Sequence, residues 1–190
     1  MAKHEPIPQI EGFETEQRTI SIVAANVWAM GLMAIAAAVG MLLLHWVNAD
    51  LSFKNAPFQM LILCLSLFVG IVVHELIHGL TWMLVTHSGF SHLRFGFMTG
   101  AVYCHIDVPM TKRAYVTGAL MPLLLVGVVP YVISIFVGSW LLMLLAAIMI
   151  GSAMGDVMIV WAIRHEDADT LVYDHPSEGG CLVYRKITPQ

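Results

Sequence analysis

Residues 67–85 read Leu67-Phe68-Val69-Gly70-Ile71-Val72-Val73-His74-Glu75-Leu76-Ile77-His78-Gly79-Leu80-Thr81-Trp82-Met83-Leu84-Val85. Across 56–86, Glu75 is the one Asp, Glu, Lys or Arg. A stretch this long and apolar predicts a helix able to cross a membrane. On such a helix residues i and i+4 share a face, so His74 and His78 project together. Two imidazoles at that spacing can grip one Zn²⁺, and the neighbouring glutamate can take a proton from water that the metal polarises. Imidazoles and a carboxylate are expensive in hydrocarbon, so their presence there points to function.

The rest of the chain fits the same setting. It is 58% hydrophobic and 12% charged, as expected of an integral membrane protein and not of a soluble domain. A net charge of -4 offers no basic surface for nucleic acid. Cys64, Cys104 and Cys181 are dispersed, with no CxxC pair and no disulfide framework. The first twenty residues are polar and mixed in charge, unlike a cleavable signal peptide.

Four spans are expected. Residues 21–47 carry no Asp, Glu, Lys or Arg, and the second span covers 57–86. Residues 114–163 contain a single charge, Asp156, and are long enough for two crossings that turn near Gly138-Ser139. Pro122 and Pro130 predict a kinked third helix. With the N-terminus inside, Lys3, Arg18, Arg94, Lys112, Arg113, Arg164, Arg185 and Lys186 lie on the cytoplasmic side, and Lys54 alone lies outside. This places a multi-pass protein in the cell membrane with both termini cytoplasmic. Trp46, Trp82, Trp140 and Trp161 fall near span ends, as interfacial anchors do.

The expected fold is all-α and integral to the membrane: a four-helix transmembrane bundle, a short membrane-associated hairpin and a small cytoplasmic tail. It divides into a cytoplasmic N-terminal segment (1–20), a four-span domain (21–163) and the tail (164–190). Within 89–107, two apolar runs flank Thr99-Gly100 and read as the hairpin. In the tail, Thr170-Leu171-Val172-Tyr173 and Cys181-Leu182-Val183-Tyr184 read as a second one, split by Pro176 and Gly179-Gly180.

Catalytic zinc usually takes three protein ligands. Asp156 is the one carboxylate in the last two spans. The second and fourth spans run in the same direction, and His78 and Asp156 each lie about 10–12 Å from the cytoplasmic end of their helix. They can share one layer of the bundle, and Gly151 and Gly155 form a small-xxx-small pair that would allow close approach. Asp107 is a weaker candidate, near the interface. His105 and Cys104 could ligate, orient substrate, stabilise an oxyanion or serve the hairpin alone. His45 lies at the outer end of its span, and His87 and His92 read as interfacial or solvated.

His74-Glu75-Leu76-Ile77-His78-Gly79 in a second span, then Tyr103-Cys104-His105, Pro122 and Gly155-Asp156, resembles the bacterial putative zincin peptidase family of unknown function. The resemblance runs from about Ser21 into the tail, where Asp174-His175-Pro176 also matches. More distantly, the arrangement is similar to site-2 proteases, which hold zinc with a membrane HExxH helix and a later intramembrane aspartate. The chain lacks their Asn-Pro-Asp-Gly type motif and any PDZ-like insert. The resemblance implies a peptidase. The expected activity is zinc-dependent hydrolysis of membrane-embedded or juxtamembrane peptides, with His74, His78 and Asp156 on Zn²⁺, Glu75 as general base, and the substrate extended along the 89–107 hairpin. The rival readings are a non-enzymatic membrane metal or haem protein and a metal-ion transporter.

Overall fold

Ser21 opens the first helix, α1 (Ile22–Trp46), by accepting a hydrogen bond from the Ala24 amide. Its 25 residues extend about 37 Å, longer than the roughly 30 Å hydrocarbon core of a bilayer. This computed structural model describes residues 7–47, 55–98, 101–176 and 178–187. Lys3, Lys54 and the Thr99-Gly100 turn lie outside the described residues. α2 (Ala56–Thr86) starts with a proline in its first turn and stops where His87 adopts left-handed backbone.

The third rod runs Lys112–Val137 as α3 (Lys112–Pro122), a π-helical stretch (Leu123–Val128) and α4 (Val129–Val137). Where the sequence predicts a kink, the backbone is π-helical, between Pro122 and the helix that carries Pro130. Wider turns absorb amide bonds that proline cannot make. Gly138, at φ 68°, ends α4, and Ser139 caps the next helix through the Leu142 amide. The fourth rod breaks at Ala153 into α5 (Trp140–Ser152) and α6 (Met154–Ala162). Among the described residues, four helices are therefore long and apolar enough to cross a membrane, with Val23, Phe68 and Phe136 among many large apolar side chains facing outward. That is the pattern of a multi-pass membrane protein.

The all-α expectation is corrected by six strands among the described residues. A hairpin joins β2 (Leu93–Met98) to β3 (Ala101–Ile106) in the register Leu93↔Ile106 to Met98↔Ala101. A second, four-stranded antiparallel sheet has the order β1-β6-β5-β4: β1 is Phe13–Thr19, β4 Met110–Thr111, β5 Leu171–Asp174 and β6 Gly180–Lys186. The tail hairpin is present as β5 and β6. It is widened by β1, which pairs Phe13↔Lys186 through Thr19↔Gly180, and by β4, which leads straight into α3 through the Thr111 cap. The two ends of the chain thus share one sheet. Charged and polar side chains fill much of β1, and its apolar support lies on a strand more than 160 residues away.

This sheet packs on one end of the helices. Trp82, Ile106, Tyr115, Ile163, Val172 and Val183 bring α2, β3, α3, the end of α6, β5 and β6 into one core. Tight helix contacts depend on small residues. A Cβ on Gly118 would collide with the Trp82 indole, and one on Gly151 would lie 2.9 Å from the Ala29 carbonyl oxygen. Gly155 does not share that role, because a Cβ there would find only Ile20, at 4.0 Å. Gly118→Val should therefore cost about 1–3 kcal/mol in detergent thermal unfolding, whereas Gly155→Ala should be neutral or slightly stabilising. Equal destabilisation by the two variants would contradict this packing.

Candidate metal centre

α2 carries His74 and His78 on its inner face, where they are only 6% and 3% exposed. Their Nε2 atoms lie 3.1 Å apart. Asp156 comes in from the first turn of α6, with Oδ2 3.3 Å from His74 Nε2 and Oδ1 3.4 Å from His78 Nε2. The three side chains named from the sequence are therefore brought together, as the shared-layer argument expects.

Their chemistry fits a metal. His78 Nδ1–H donates to the Gly118 carbonyl at 2.9 Å, which in the neutral ring leaves Nε2 with its lone pair directed at the cluster. The neighbours of that lone pair are another imidazole nitrogen and a carboxylate, in surroundings with little water. Such atoms repel unless a cation or proton lies among them. Tetrahedral coordination at 2.0–2.1 Å places ligand atoms about 3.3 Å apart, close to the spacings found here. His74 Nδ1 is buried and has no hydrogen-bond partner among the described residues. His74, Glu75 and His78 also offer one ligand atom each within 4.8 Å of one another.

Glu75 is held differently. Its Oε2 accepts the Cys104 backbone N–H at 2.7 Å, so β3 fixes the carboxylate beside the two imidazoles and leaves the other oxygen available. Burial, with the nearby Glu75 and Asp174 charges, pushes the Cys104 thiol up to about 12. At neutral pH it is a thiol, a poor ligand compared with thiolate. Its role here is carried by its backbone amide.

The site faces a cavity of about 190 Å³, walled by α2, by Tyr103 and Cys104 of β3, and by Asp174 and Gly179 of the tail. Trp82 is not an interfacial anchor. It is 4% exposed and stacked between His78 and Tyr115, with ring separations of 5.2 and 5.6 Å, and it donates to the Tyr115 carbonyl. Trp46 and Trp161 remain exposed near helix ends, as expected. His105 turns away from the cluster and donates from Nδ1 to Asp174 Oδ2 at 3.0 Å. Asp107 pairs with His92 and Arg94 and takes no part in the cluster. His45 and His87 are exposed. Sequence reasoning missed the Gly118 carbonyl, which has no side-chain signal, and the part played by Asp174, whose one hint was Asp174-His175-Pro176.

The sequence model of the putative zincin peptidase family matches residues 67–171, more than half of the chain and inclusive of all four residues of the cluster. No curated protein and no solved structure matches the chain. Detergent-purified protein should hold close to one zinc per chain, and both His78→Ala and Asp156→Ala should lose most of it. Retention of full zinc by folded Asp156→Ala would remove the aspartate from the site.

Proposed function

Because the chain belongs to the putative zincin peptidase family, we propose that it is a zinc-dependent metallopeptidase acting on membrane-embedded or juxtamembrane peptides. The observation that supports this most is the meeting of His74, His78 and Asp156 at 3.1–3.4 Å, with Glu75 alongside, among four apolar helices. His74, His78 and Asp156 hold the metal, and Glu75 is the catalytic carboxylate. Bound zinc supplies Lewis acidity, polarising the scissile carbonyl and making water easier to deprotonate.

The chain's own groups do the remaining work. Glu75, anchored through Oε2 by Cys104, takes a proton from the attacking water and passes it to the leaving amine. The Gly118 carbonyl keeps His78 in the tautomer whose Nε2 can ligate. β3 pairs with β2 along one edge, while the Cys104 N–H points from its other edge to Glu75. Alternate residues share an edge, so Val102 also presents backbone groups on this side, where an extended substrate can add as a strand. A second cavity, of about 330 Å³, lies between α1 and α6 and shares Tyr103, Gly155 and Asp156 with the first. It supports entry of peptide from between the helices. The distribution of Lys and Arg supports a cell-membrane orientation with both termini cytoplasmic.

Glu75→Gln should keep its zinc and lose at least about 100-fold in peptide hydrolysis by purified protein. Unchanged hydrolysis by a zinc-loaded Glu75→Gln variant would contradict the assignment.

A further inference from the structure

Asp174 is a largely buried carboxylate that the chemistry above does not use. It stands at the end of β5, and its side chain is 14% exposed. Oδ2 accepts from His105 Nδ1–H at 3.0 Å, and Oδ1 accepts from the Tyr115 hydroxyl at 3.0 Å. Both oxygens are thus bound to side chains of two different elements, β3 and α3. A carboxylate taken out of water is tolerated when each oxygen has such a partner.

Each partner is one short step from the metal centre. His105 follows Cys104, whose amide holds Glu75. Tyr115 lies one helical turn before Gly118, whose carbonyl holds His78. Its own carbonyl accepts the Trp82 indole N–H, and that indole stacks on the His78 ring. Among the described residues β3 and α3 have no backbone pairing with each other; β3 is laddered to β2. Asp174 bridges them from the tail and is also one of the residues that line the cavity.

We propose that Asp174 is a positioning residue, through which the tail sheet holds the strand that orients Glu75 and the helix that orients His78 in register across the metal site. The tail is then a working part of the centre. This inference rests on the metallopeptidase reading for its effect on rate, but its geometric content needs only that the site bind metal.

The test uses the full chain in detergent, loaded with Co²⁺ in place of zinc, because the cobalt d–d band reports ligand arrangement without reference to activity. Asp174→Asn keeps the volume and one acceptor; Asp174→Ala removes both arms; Tyr115→Phe removes one. All three should still bind close to one cobalt. The band should shift in Asp174→Ala and shift less in Tyr115→Phe. Asp174→Ala combined with Tyr115→Phe should go no further than Asp174→Ala alone, since both changes break one linkage. On a quenched-fluorescent apolar peptide, Asp174→Asn should lower kcat with KM unchanged, by no more than the roughly 10–100-fold carried by groups bonded directly to metal ligands.

If the folded variants melt at lower temperature yet show the wild-type cobalt band and wild-type kcat per bound metal, Asp174 is structural alone and the inference is overturned. If the band shifts but neither wild type nor Glu75→Gln hydrolyses peptide, the peptidase reading fails while the positioning role stands. No cobalt uptake by well-folded wild type would overturn both.

Discussion

The decisive constraint is the gathering of imidazole nitrogens and carboxylate oxygens that repel one another unless a cation or a proton lies among them. Two imidazole nitrogens and two carboxylate oxygens meet at 3.1–3.4 Å between apolar helices. In the neutral ring, the Nδ1–H bond to Gly118 leaves His78 Nε2 as an acceptor, unable to donate to Asp156. A cation at the centre relieves it fully, and the spacing matches tetrahedral coordination. Several otherwise unrelated features serve this arrangement. Gly118 lets α3 come up against Trp82, so that its carbonyl reaches His78. The break at Ala153 restarts the last helix just before Asp156.

The two β structures supply what four helices alone do not. A lone pair of imidazoles on α2 could rotate, and Glu75 could turn toward either nitrogen. The β2–β3 hairpin lays an amide against Glu75, and the tail sheet anchors that hairpin and α3 together at Asp174. The largest buried core therefore lies at the sheet end of the bundle, around Trp82, Tyr115, Ile106 and Val183. Elsewhere the helices present many large side chains outward, as lipid contact requires.

Much of this was legible in the sequence because it is local or periodic. An apolar run of 31 residues around His74-Glu75-Leu76-Ile77-His78 specifies both a long helix and two imidazoles on one face. Asp156 stood out as a solitary charge, and its distance from the helix end placed it level with His78. Gly138-Ser139 marked the turn between the last two rods correctly. The tail hairpin was visible from two short apolar runs split by Pro176 and Gly179-Gly180. The failures have a common cause, since each depended on partners distant in sequence. β1 pairs with a strand at the other end of the chain. Trp82 has an anchor's position near a helix end, yet it is stacked inward by Tyr115. Gly155 sits in a small-xxx-small pair but opens on a cavity. Backbone donors and acceptors, Cys104 N–H and Gly118 C=O, leave no mark in a sequence at all.

Zinc K-edge X-ray absorption on the purified protein tests the central claim most directly. The account predicts a first shell of nitrogen and oxygen at about 2.0–2.1 Å, with outer-shell scattering from two imidazoles. A sulfur shell at about 2.3 Å, or scattering from fewer than two imidazoles, would contradict it.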